Sequence, residues 1–255
     1  MKKTSYVFLI CSLLFLAGCD LKEKHTRTLE MPLEISSGQK LTINTDVGSI
    51  SVSETNSPQC SLKAEITGKG DTKEKAQQVA QSINIQIENK GGDVFVKIDK
   101  PSEIKSNWFE VSFTVSTPTD ILLDCQTDVG SINVTNITGD IDAHTDVGSI
   151  NVKNAGGRLN LKTDVGDIKA AYAPDAEAVL DADLSTDVGS IHFKGPENIS
   201  ARICASTDVG SIHSNLHSTD ERIESNCCSK RLDATCGDGK GNVRLKTDVG
   251  SINIK

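Results

Sequence analysis

Seven aspartates recur at one position of a repeated hexapeptide. They are the first residues in this 255-residue chain whose type and spacing could do chemistry. The hexapeptide is Thr-Asp-Val-Gly-[Ser/Asp]-Ile, starting at Thr45, Thr127, Thr145, Thr163, Thr186, Thr207 and Thr247. The resulting column is Asp46, Asp128, Asp146, Asp164, Asp187, Asp208 and Asp248. Carboxylates stacked on adjacent units would form an oxygen-rich ladder, and Ca²⁺ takes about six to eight oxygen ligands. Asp128, Asp146, Asp164, Asp187 and Asp208 are the candidate metal ligands. The competing use is structural. An Asp just before a Val-Gly bend can accept a nearby backbone N–H and close an Asx-type turn. Repulsion between neighbours about 4.8 Å apart is of order 1 kcal/mol in water, which such hydrogen bonds offset. The turn cap is the first expectation, no cofactor is required by it, and Ca²⁺ is the ion the column would otherwise take.

The remaining chemistry is thinner. His192 and His213 share the column after Ile, which also holds Asn133, Asn151, Lys169 and Asn253, so the column accepts any polar side chain. No Cys/His spacing matches a zinc site. Cys60, Cys204, Cys227, Cys228 and Cys236 are disulfide candidates if the chain is exported, with their pairing left open. Cys227, Cys228 and Cys236 would staple the segment between Ser214 and Val243, and Cys204 would face out towards it. Cys125 falls on an apolar column and reads as a buried thiol. There is no C-x-x-C, no G-x-S-x-G and no H-E-x-x-H, so no catalytic residue is nominated. A formal charge of −8 without a basic run argues against nucleic acid or an anionic surface as partner. Aromatics at 4 % are too few for a stacking platform.

The elements that must position these residues follow from the repeat. Five before each Asp stand Leu41, Leu123, Ile141, Leu159, Ala182, Ile203 and Val243, and three before it Ile43, Cys125, Ala143, Leu161, Leu184, Ala205 and Leu245. The residues between are mostly polar, which is the period-2 mark of a strand with one buried face. Ile resumes the pattern after the Gly, so each unit reads strand, bend, strand. A unit of 18–23 residues cannot bury its own apolar face, but stacked units can. The prediction is an all-β fold: a β-solenoid, built like a single-stranded β-helix, over 121–255. The spacing of 40 before Thr247 predicts one degenerate coil between Ser214 and Val243. Residues 31–120 predict a small β-rich part with one helix. Thr72 would cap that helix, Ala76, Val79, Ala80 and Ile83 would be its buried stripe, and a hairpin would turn at Gly91-Gly92.

Residues 1–18 read as a signal peptide, with Lys2 and Lys3 before the apolar stretch Tyr6–Phe15. Leu16-Ala17-Gly18-Cys19 then resembles a bacterial lipobox, which implies lipidation at Cys19. Polar residues 19–30 read as a tether. Lipobox, helix-bearing β-rich part and Gly-[Ser/Asp]-Ile repeats together resemble the bacterial β-strand-repeat family of putative adhesins of unknown function. That resemblance covers about residues 35–255, and Gly237-Asp238-Gly239-Lys240-Gly241 resembles its C-terminal cap. It implies a non-enzymatic envelope lipoprotein. Such a protein would be lipid-anchored outside the cytoplasmic membrane, or on the outer membrane, and would serve as a scaffold or adhesin-like surface. An envelope protein or polysaccharide would be its partner. The rival readings are an envelope-stress sensor with a membrane partner and a carbohydrate-active β-helix enzyme whose cleft would be built by 213–243.

Overall fold

The structure is a computed structural model that describes residues 23–55, 57, 59–225 and 229–255. Cys19, Cys227 and Cys228 lie outside them. The fold is all-β with one helix, and its strands form two large mixed sheets.

The N-terminal part has β1 (Glu23–Leu33), β2 (Lys40–Val47), β3 (Ile50–Glu54), β4 (Cys60–Gly70), α1 (Lys73–Ser82), β5 (Asn84–Lys90), β6 (Asp93–Asp99) and β7 (Phe109–Thr117). The predicted helix and hairpin are present. Thr72 accepts the Lys75 N–H, and Ala76, Val79 and Ala80 are buried. β5 and β6 pair antiparallel across Gly91-Gly92. The tether needs correcting from Glu23 onward. Residues 23–33 form β1, which pairs antiparallel with β4 along its full length. Their high polarity misled because the outer side of this edge strand faces water. Leu29, Met31 and Leu33 pack inward, and Arg27 donates to the α1 carbonyls of Ala80 and Ile83. α1 lies where the second sheet stops, closing that end of the core. Gly68 and Gly70 admit it, since a side chain on either would meet the helix backbone.

The repeats give β8 (Leu122–Val129), β9 (Ile132–Thr135), β10 (Ile141–Val147), β11 (Ile150–Ala155), β12 (Leu159–Val165), β13 (Ile168–Tyr172), β14 (Asp181–Val188), β15 (Ile191–Lys194), β16 (Ala201–Val209) and β17 (Ile212–Ser214). The chain ends in β18 (Asp220–Ser225), β19 (Lys230–Cys236), β20 (Gly241–Val249) and β21 (Ile252–Ile254). Sheet A runs β1-β4-β7-β3-β9-β11-β13-β15-β21-β17, and sheet B runs β18-β19-β16-β20-β14-β12-β10-β8-β2-β6-β5. Each repeat puts its first strand in B and its second in A. Repeat strands run parallel in strict register, Thr on Thr and Ile on Ile. One apolar core runs between the sheets from Leu33 to Ile254, with no break at residue 120.

Two expectations about the stack fail. The described residues between Ser214 and Val243 are not a degenerate coil. β19 turns back antiparallel along β16, and β18 pairs outside it. The hairpin adds two strands to sheet B alone and so caps the end. Nor is the stacking sequential. The last repeat, β20–β21, lies between β14–β15 and β16–β17.

Candidate functional site

Each position of the hexapeptide can be assigned a job from its contacts. Thr is buried, and in six of the seven copies its hydroxyl donates to a Gly carbonyl of the neighbouring repeat, as Thr127 to Gly48 at 2.9 Å, Thr145 to Gly130 at 3.0 Å and Thr247 to Gly189 at 2.8 Å, while Thr45 donates to the Val111 carbonyl. Gly lies so close to the next repeat that a methyl on Gly130 would overlap the Gly48 carbonyl, and one on Gly148 that of Gly130. The Ser/Asp position supplies an oxygen acceptor for the next repeat's N–H. Ser49 takes Ser131 N–H, Asp167 takes Ser190 N–H and Ser190 takes Ser251 N–H. Either residue type does this, which explains the one exchange in the motif. Ile fills the core.

Asp and Val have no such job. Among the described residues none of the seven aspartates accepts a backbone N–H, which corrects the turn-cap expectation: the bend is held by Thr, Gly and the Ser/Asp oxygen instead. Their partners are side chains, where there are any. Ser106 and Lys100 approach Asp46, His144 lies 3.2 Å from Asp146, and Lys246 lies 3.1 Å from Asp248. Six of the seven valines stand in water, and Val47 is half-buried. Val129, Val147, Val165, Val188 and Val249 are 47–49 % exposed and Val209 is 61 %. The Val column and the Asp column therefore run side by side along the corner where sheet B bends into sheet A. The result is an apolar ridge flanked by carboxylates, with one step per strand of about 4.8 Å. Burial, then the charges of Asp46 and Asp146, raise the Asp128 pKa above its ordinary value.

The ridge holds no cation cage. Among the described residues no three His, Cys, Asp or Glu converge as metal ligands. Asp128, Asp146, Asp164 and Asp187 do stack on consecutive repeats, but Asp248 separates Asp187 from Asp208. Asn253 likewise separates His192 from His213, leaving them two strands, or about 9.6 Å, apart.

The cysteines do not pair among the described residues. Cys60, Cys125, Cys204 and Cys236 are free thiols. Cys60 starts β4, at the opposite end of the stack from Cys204 and Cys236. Cys236 sits inward on β19 opposite Ala201, while Cys204 points outward against Asp233, 3.1 Å away. Sheet B therefore stands between the last two. Burial pushes the thiols of Cys60, Cys125, Cys204 and Cys236 up, away from the reactive thiolate. Within 213–243, the candidate wall of a saccharide cleft, β18 and β19 form the antiparallel cap.

No family model and no curated protein matches the chain. Solved structures similar to it include a putative cell adhesion protein from Clostridium sporogenes. That protein is 17 % identical, with a TM-score of 0.46 over 91 % of this chain and 99 % of the other. A putative adhesin from Bacteroides fragilis is 15 % identical, with a TM-score of 0.42 over 90 % and 97 %. A putative adhesin from Parabacteroides distasonis is 10 % identical, with a TM-score of 0.32 over 90 % and 97 %.

Proposed function

We propose that this chain is a non-enzymatic envelope lipoprotein, anchored through Cys19, whose stacked repeats form a rigid solenoid-like bar. Its binding surface is the Asp–Val ridge. One observation supports this above the others: in seven copies Asp and Val never vary, yet among the described residues none of the aspartates accepts a backbone N–H and six of the seven valines are 47–61 % exposed. Exposed positions beside them do vary. The residue before Thr is Asn44, Gln126, His144, Lys162, Ser185, Ser206 or Lys246. Two identical columns that face water over most of their length, and that the bend does not need, point to recognition as the reason to keep them. Their chemistry fits a partner that offers apolar groups and cations together, as a basic segment of an envelope protein would.

The test compares the full chain with a ridge variant carrying Asp146→Asn, Asp164→Asn, Asp187→Asn, Val147→Thr, Val165→Thr and Val188→Thr. Retention of solubilised envelope protein on immobilised chain should fall at least tenfold in the variant, with its unfolding midpoint unchanged. Equal retention by both would overturn the ridge as the binding surface.

A further inference from the structure

The outer face of sheet A shows an electrostatic pattern that the overall charge conceals. Strands β9, β11, β13, β15, β21 and β17 contain no Asp or Glu. Lys153, Lys169 and Lys194 stand on this face, with His192 and His213 among them and Lys255 just past β21. Lys153, Lys169, Lys194 and Lys255 line one shallow hollow over Ala171. None of the four makes an ion pair among the described residues. Of the carboxylates nearest in sequence, Asp167 is spent at the corner on Ser190 N–H, and Glu197 lies past the end of β15, near Lys194 and Lys255. The partner strands in sheet B are the opposite case: β8, β10, β12, β14, β20 and β16 carry ten aspartates against four Lys and Arg. Packed sheets lie about 10 Å apart. The Debye length at physiological ionic strength is about 8 Å. A body beneath these six strands therefore meets the lysines and is largely screened from the aspartates, whereas nearer the anchor β1, β4, β7 and β3 carry Glu30, Glu65, Glu110 and Glu54 beside Lys24, Lys63 and Lys69.

We infer that this face of sheet A lies on an anionic phospholipid surface. Three features favour that occupant. The face is a flat run of parallel strands rather than a groove. Its cations are lysines, which suit diffuse charge more than the bidentate recognition Arg gives. It exposes no aromatic ring for stacking on bases or sugars. Sheet A also begins with β1, whose first residue follows Cys19 by four, so the sheet starts beside the anchor. This rests on the lipid anchor of the reading above for its nearness to a bilayer. Acyl chain and basic patch are then two signals, about 30 Å apart across the strands between β1 and β13. Two such points of attachment would lay the bar on its side, with sheet B turned away from the bilayer.

The experiment reconstitutes the full lipidated chain into vesicles of zwitterionic phospholipid alone or with phosphatidylglycerol. A water-soluble amine-acylating reagent then labels lysines. In anionic vesicles, labelling of Lys153, Lys169, Lys194 and Lys255 should fall severalfold relative to Lys162 and Lys246 on sheet B. The variant with Lys153→Gln, Lys169→Gln and Lys194→Gln should lose the protection at Lys255. Equal labelling in both vesicle types, or undiminished protection of Lys255 in the variant, would overturn the inference. So would protection by soluble polyphosphate on zwitterionic vesicles without protection by anionic ones, which would make a polymer the partner. Flotation in high salt tests the anchor separately, because acylated chain floats whether or not the lysines touch lipid.

Discussion

At the scale of the residue, the hexapeptide divides into positions that hold the repeat together and positions that face outward. Gly148→Ala should cost about 3 kcal/mol, because its methyl overlaps the Gly130 carbonyl and the strict register cannot shift to admit it. Thr145→Val should cost about 1 kcal/mol, since the Gly130 carbonyl loses its hydroxyl donor. Asp146→Asn and Val147→Thr should both stay within about 0.5 kcal/mol. Urea unfolding of the four variants checks the division. Asp128 adds a pH dependence. Burial and its two aspartate neighbours raise its pKa, so the folded chain holds this proton to higher pH than the unfolded one. Its contribution to stability is therefore full below the unfolded value of about 3.9 and is lost as pH rises through the folded value. Asp128→Asn should flatten stability between about pH 4 and neutrality relative to the parent chain, as read by urea unfolding across that range. The sequence made the strand pattern, the Gly bend and the buried Ile legible. It could not show which oxygen closes the bend. Asp and Thr are both plausible acceptors or donors near a Gly, and only the register of two repeats reveals that Thr reaches the neighbour's carbonyl.

At the scale of the element, the stacking order is the main departure from the sequence reading. Near-identical repeats carry no signal of which one lies beside which, so β20–β21 could not be assigned to a slot inside the stack. The cap was hidden for a different reason. β19 keeps period-2 alternation in Leu232, Ala234 and Cys236, but it leads into no Thr-Asp-Val-Gly corner because it runs backwards. Its missing motif therefore looked like a decayed coil. The inserted repeat makes β16 depend on β20 for its parallel neighbour. Leu245→Ala, at a fully buried position, should cost about 2–5 kcal/mol. Hydrogen exchange should report that loss first at Ile203 and Ala205 on β16, with Ile141 and Ala143 on β10 holding their protection longer. Equal deprotection along the whole stack would instead mark it as a single cooperative unit.

At the scale of the molecule, the apolar core between two stacked sheets has two ends to cover, and both are covered. α1 closes one end over β1 and β4, and the β18–β19 hairpin closes the other with antiparallel strands. Leu232, with Ala234 and Cys236, is buried and seats the hairpin. Leu232→Asp should release it and expose the β16 edge, and sedimentation velocity should then show concentration-dependent association absent from the parent chain. The charge distribution also emerges only at this scale. Lys153, Lys169 and Lys194 come from three repeats, none of them in a basic run, and the fold gathers them on one face. Composition argued against an anionic surface because it averages over two faces that the sheets keep apart. The slot between β14 and β16 has a consequence in time. A ribosome makes β16 and β17 before β20 and β21, so each nascent chain carries an unfilled place in its stack until the last repeat arrives. A message broken after the cap would yield a product with every earlier repeat intact and one rung missing from its middle. Proteases that attack open strands would have a means of telling unfinished copies from finished ones.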